Sequence, residues 1–222
     1  MPQDTNTMQK RKRELLVSPK GTAVWPKLNA PDTQFKEEGE YGVKLAVDPS
    51  KDPKVQPWLD DLQARFDTYL DEVKAEVGPV KAKKIKPNDP FTPEVDDEGE
   101  ETGRILVKFG MAASFKDKKT GQPKTMKPAL FDARGNPLVN PPQIGNGSVL
   151  RVSYTVGSYN TPQATGIKLY LNAVQVIELV EFGGGGDAKG YGFDVEEDGF
   201  QTEASKNGFD AADDGEEQSE DF

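Results

Sequence analysis

The sequence contains no cysteine and no histidine among its 222 residues. The first absence excludes disulfides, thiolate nucleophiles and cysteine-ligated metals; the second removes the commonest general base and metal ligand. Long apolar runs are also missing, since none approaches the roughly 20 residues of a membrane span. Met1-Pro2-Gln3-Asp4 begins no secretory signal, because no apolar segment follows it. These absences read as a soluble cytoplasmic protein with no membrane partner and no implied cofactor.

What is abundant is charge, and it is unevenly placed. The whole chain carries a formal −10 and a pI near 4.7. Residues 1–182 hold 26 Lys and Arg against 25 Asp and Glu, whereas residues 187–222 hold 2 against 13. The break falls at Gly183-Gly184-Gly185-Gly186. Whole-chain acidity is therefore a poor guide to what the neutral body binds. Three segments are expected: a flexible basic arm over 1–14 containing Lys10-Arg11-Lys12-Arg13, a domain over 15–182, and a glycine linker with a disordered acidic tail over 183–222. The arm reads either as a frayed terminus or as a phosphate contact. The tail carries isolated aromatics, Tyr191, Phe193, Phe200, Phe209 and Phe222, which a purely solvating tail would not need. It reads either as a solubility tail or as an interaction peptide, with Glu220, Asp221 and Phe222 as the anchor for a partner's pocket.

Within the body, Leu15-Leu16-Val17 and Thr22-Ala23-Val24-Trp25 suggest one strand interrupted by a bulge or bend at Ser18-Pro19-Lys20-Gly21. Tyr41, Val43, Leu45 and Val47 alternate as in a half-buried strand. Residues 55–77 give the one clear helix, with Trp58, Leu62, Phe66, Tyr69, Leu70, Val73 and Val77 spaced by three or four. Pro57 suits its first turn, Asp60 and Asp61 favour its positive end, and Gly78-Pro79 stops it. Residues 80–103 read as a long charged loop, basic and then acidic. Strands return with Ile105, Val107, Phe109 and Met111, a basic hairpin turn over 116–121, and Ala129-Leu130-Phe131. Leu150, Val152, Tyr154 and Val156 form one more inward face; a loop spans 157–166. In the last strand Ile167, Leu169, Leu171 and Ala173 share a face, and the parity slips at Val174 and Val176, which implies a bulge or a switch from one sheet layer to another. The expected fold is mainly β: an OB-fold-like five-stranded barrel with one inserted α-helix.

Such a barrel binds single strands with cations that follow phosphates and aromatics on which bases stack. The outward parity of Lys108, Arg151, Lys168 and Tyr170 supplies both. Tyr159 in the last loop, and Phe115, Lys116, Lys118 and Lys119 in the hairpin, extend the surface, as do Lys81, Lys83 and Lys84. Phe115 reads equally as core. Trp25, Trp58, Phe66 and Phe109 are assigned to the core. Two other classes compete: an acidic DNA mimic directed at a host DNA-processing enzyme, which the neutral body disfavours, and a metal-dependent nuclease using Asp96 and Asp97, which the absence of histidine disfavours.

The stretch through Trp25 and Tyr41-Gly42-Val43-Lys44-Leu45, the closing run Gly166-Ile167-Lys168-Leu169-Tyr170-Leu171-Asn172-Ala173-Val174-Gln175-Val176 and the acidic tail ending in Phe222 together resemble the phage-encoded single-stranded DNA-binding proteins of T-odd phages. The resemblance spans most of residues 15–182 plus the tail. It implies an OB-fold, sequence-tolerant binding of single-stranded DNA in phage replication, recombination or repair, and no enzymatic step. It further implies a tail that shields the DNA groove and contacts replication partners such as a polymerase or helicase. A dimer is among the oligomeric states compatible with it.

Overall fold

The computed structural model describes residues 14–34, 36–117 and 119–181. Among them the chain forms, in order, β1 (Leu16–Val17), β2 (Gly21–Asp32), β3 (Glu40–Val47), α1 (Val55–Ala82), β4 (Pro87–Asn88), β5 (Phe91–Val95), β6 (Glu101–Ala112), β7 (Ser114–Lys116), β8 (Pro123–Thr125), β9 (Ala129–Phe131), β10 (Val149–Asn160) and β11 (Thr165–Glu178). Five of these strands close on themselves. β10 pairs with β2, β2 with β3, β3 with β6, β6 with β11, and β11 again with β10. Only the β6–β11 contact in this ring is parallel. The architecture is therefore mainly β, of the OB type, with one helix inserted between β3 and β6.

Period-two alternation decides what lies inside the ring. Tyr41, Val43 and Leu45 of β3, Val107, Phe109 and Met111 of β6, Leu150, Val152 and Tyr154 of β10, and Ile167, Leu169 and Leu171 of β11 are all buried. The parity slip in β11 is a bulge. Ser153 pairs with Ala173 but Tyr154 pairs with Leu171, so Asn172 is the extra residue and the inward set resumes at Val174.

The helix joins this core through Val55, Leu59, Leu62, Phe66, Leu70 and Val73, all buried at helical spacing. Burial of each leucine- or phenylalanine-sized side chain contributes about 1.5–3 kcal/mol. Trp58 ties helix to ring: its Nε1 donates to the Tyr154 hydroxyl at 2.8 Å, and its ring stacks on Phe109 at an interplanar angle of 14°. The acidic residues of the helix, including Asp60, Asp61, Asp67, Asp71 and Glu72, are exposed.

Several expectations are corrected. The interrupted first strand is two strands, both on the flank of β10, linked where the Ser18 N–H donates to the Val152 carbonyl and the Val152 N–H to Ser18 Oγ. Asp60 and Asp61 lie beyond the first helical turn; the acid at the start is Asp52, whose Oδ1 accepts from the Lys54 N–H. Gly78 does break the helix, with φ 76° and ψ 168°, yet the chain makes one more short turn to Ala82. Residues 80–103 are not a loop: they hold β4, β5 and the start of β6. Asp96 Oδ1 accepts from the N–H groups of Glu98 and Glu100 and closes the β5–β6 hairpin, so this carboxylate belongs to a turn. The expected loop 157–166 shrinks to 161–164, because Tyr159 pairs with Gly166 and Asn160 with Thr165. The hairpin around 116–121 is present as β7–β8. The basic arm and the acidic tail lie outside the described residues.

Candidate nucleic-acid interface

Outward residues of β2, β3, β6 and β11 lie side by side on one face. On β3 and β6 the outward pairs are Lys44 with Lys108, Gly42 with Gly110, and Glu40 with Ala112. Gly110 in turn adjoins Tyr170 of β11, and Lys168 adjoins Gly157 of β10. Lys27 of β2 completes the row opposite Gly42. Two lysines directly across a strand pair repel one another. Neither Lys44 nor Lys108, nor Lys27, forms an ion pair among the described residues. A sheet that tolerates this repulsion is suited to an anion from outside.

Trp25 stands over the same face. It was expected in the core, and instead it is 69% exposed. Its backbone explains the difference. Between Val24↔Lys44 and Lys27↔Gly42, β2 takes three steps where β3 takes two, so a residue is inserted and the side-chain parity turns over. Trp25 sits in this bulge at φ 51°, an outlier for a bulky residue, ahead of Pro26. Its N–H is held by Asn146 Oδ1 at 2.6 Å. A groove of about 200 Å³ lies between Trp25, Lys27, Lys44, Lys108, Gly42 and Gly110.

Two tyrosines pack against strand glycines. The Tyr170 ring rests against the backbone of Gly157, where any added Cβ would collide with it, and Lys168 Nζ is 5.7 Å from its centroid. The hydroxyl end of Tyr159 lies over Gly166 together with the Asn88 carbonyl, and Asn88 Nδ2 donates to that hydroxyl. Both tyrosines are half-buried against these glycines, at positions where a base could stack.

Electrostatics on the face centre on Glu40. Lys36 Nζ lies 2.7 Å from Oε2 and Lys168 Nζ 2.9 Å from Oε1. Partial burial favours the neutral acid, but the two lysines outweigh it and hold the carboxyl at about 2 instead of 4.5.

The remaining expected residues divide by location. Lys108, Lys168 and Tyr170 are together in the centre. Tyr159 lies at one end of the face. Lys81, Lys83 and Lys84 are exposed and approach that end, because the Lys86 carbonyl accepts from the Thr165 N–H and β4 pairs with Thr165 and Gly166. Phe115, now 45% exposed and not core, lies with Lys116 and Lys119 on the β7–β8 hairpin beyond the other end. Lys118 lies outside the described residues, as do Glu220, Asp221 and Phe222. Arg151 does not join the face: it is six residues, roughly 20 Å, along β10 from Gly157, and its Nε donates to the Ser18 carbonyl. Lys27, Lys44 and Trp25 were missed. Lys44 was legible from outward parity in Tyr41-Gly42-Val43-Lys44-Leu45; Trp25 was hidden by its bulge. A larger groove of about 660 Å³ between α1 and β10 is a poorer candidate, because its cation, Arg65, is paired with Asp61 and Glu14.

A model of the bacteriophage T7 single-stranded DNA-binding protein family matches residues 21–179. The chain belongs to that family. It is similar to the single-stranded DNA-binding protein of Escherichia phage T7, at 33% identity over 75% of this chain and 73% of the relative. The corresponding protein of Enterobacteria phage T3 is 31% identical over 88% of each. Among solved structures, gp2.5 of bacteriophage T7 superposes with a TM-score of 0.64 at 30% identity, covering 86% of this chain and 99% of that one. The single-stranded DNA-binding protein of bacteriophage Enc34, solved with single-stranded DNA, shares the fold at a TM-score of 0.51 and 13% identity, over 77% and 89% of the two chains. The matched segment contains every face residue from Trp25 to Tyr170.

Proposed function

We infer that this chain binds single-stranded DNA without sequence preference and without catalysing a reaction, in the replication and recombination of a phage genome within the host cytoplasm. The observation that carries the reading is the face itself, where Lys27, Lys44 and Lys108, which form no ion pair among the described residues, share a surface with Trp25 and Tyr170, and Tyr159 stands at its end. Cations neutralise phosphates, and each aromatic stack contributes about 1–3 kcal/mol whichever base lies on it. The names of the family and its relatives support the same ligand. The acidic residues 187–222 act as a polyanion competing for this face, and Glu220, Asp221 and Phe222 serve as the anchor for a replication partner such as a polymerase or helicase. Titration of the full chain with a fluorescent oligothymidine at two salt concentrations tests the reading. Log affinity should fall by roughly 0.7 per phosphate neutralised for each tenfold rise in salt. Binding that ignores salt, or no binding, would refute it.

A further inference from the structure

Glu40 is out of place on a surface that receives phosphates. It stands between Lys36 and Lys168, one carboxylate oxygen to each ammonium, on the outward row of β3 beside Gly42 and Gly110. Its position is built, not incidental. An added Cβ at Gly110 would lie 2.9 Å from Glu40 Oε1, so the neighbouring strand leaves space for the carboxylate. The side chain is 23% exposed and lines the groove under Trp25. The other acid of that groove, Asp32, faces a turn, where it accepts from the Gln34 N–H. Two oxygens shared between two lysines is also how a phosphodiester would sit there.

We propose that the Glu40 carboxylate occupies a phosphate position in the free protein, as an intramolecular competitor that an incoming phosphate displaces from Lys36 and Lys168. This rests on the reading of the face as a single-stranded DNA surface. Because Glu40 stays ionised down to about pH 2, the competition operates throughout the neutral range. Its consequence is to weaken binding of isolated phosphates while leaving a strand, which also stacks on Trp25 and Tyr170, able to compete.

The test measures oligothymidine affinity for the full chain and for Glu40→Gln, with Glu40→Ala as a second variant should Gln disturb the fold. At 0.1 M salt, freeing one phosphate contact should tighten binding about fivefold and steepen the salt dependence by roughly 0.7. In the background of Lys36→Gln with Lys168→Gln the gain should vanish. Glu37→Gln, an exposed acid on the same turn, should leave affinity nearly unchanged. Equal gains from Glu37→Gln and Glu40→Gln would reduce the effect to net charge and overturn the proposal. So would unchanged or weaker binding by folded Glu40 variants, since Glu40 would then position the lysines instead of competing for them. If the wild-type chain binds no oligonucleotide, the functional reading falls together with the proposal; if it binds and the Glu40 variants gain nothing, only the proposal falls.

Discussion

Trp25 carries two kinds of information at the scale of a single residue: a backbone outlier and an exposed indole. Residues held at positive φ persist only where the surroundings impose them, and here the Asn146 side chain and the β2 bulge do so. Trp25→Ala should therefore weaken oligothymidine binding by about 1–3 kcal/mol, with no loss of thermal stability. The chain has two tryptophans. DNA-induced quenching of fluorescence should survive Trp58→Phe and disappear in Trp25→Phe. Tyr154 is the opposite case, fully buried with its hydroxyl accepting from Trp58. Tyr154→Phe strands the indole N–H and should cost about 1–3 kcal/mol in urea unfolding while leaving DNA affinity unchanged. Composition alone could not separate the two residues. Both Trp25 and Tyr154 sit in apolar alternation, and only a bulge reverses the parity of one of them.

Elements differ in how plainly their residues announce them. The helix was legible because six apolar positions repeat at helical spacing and the ring offers a surface to cover. The hairpin β5–β6 was not. Only Phe91 of its first strand packs against the core, Val95 is exposed, and the turn acids obscure the alternation. What makes it a hairpin is pairing to β6, which already exists as a partner of β3. The break at Gly78 links the two. Its φ and ψ belong to a region that glycine alone visits readily, and nothing lies within 4 Å of an added Cβ, so a substitution there probes backbone strain alone. Gly78→Ala should destabilise the fold by about 1–3 kcal/mol, read as a lowered urea midpoint. It should also increase amide exchange at Thr165, whose N–H is held by Lys86 just downstream.

For the whole molecule, charge sets the response to acid. The folded chain holds Glu40 at about 2, against 4.5 ordinarily. A depressed folded-state value stabilises above the unfolded one, so this contribution is complete above pH 4.5 and is lost as pH falls toward 2. Asp48, Asp117 and Asp132 are lowered too, held mainly by hydrogen bonds from Ser50, Lys124 and Asn136 respectively, and act in the same direction. Thermal midpoints measured from pH 6 to pH 2.5 should fall for the wild type and fall less steeply for Glu40→Gln. Charge also predicts the effect of truncation. A chain ending at residue 182 loses 13 acids and 2 lysines and should bind oligothymidine more tightly than the full chain, with the gain shrinking as salt rises.

The sequence by itself determined the class of the fold, the helix, the parity slip in the last strand and the segregation of acid into one end of the chain, because periodicity and composition are local properties. It also determined that Lys108, Lys168 and Tyr170 point away from the core, since parity along a strand fixes the side. Tertiary structure alone decided which outward residues meet. Ring closure set Lys44 against Lys108, left Arg151 roughly 20 Å along β10 from the pairing position of Lys168, turned Trp25 outward and placed Glu40 between two lysines. Pairing register between strands far apart in sequence is a property of the closed ring, and no single segment encodes it.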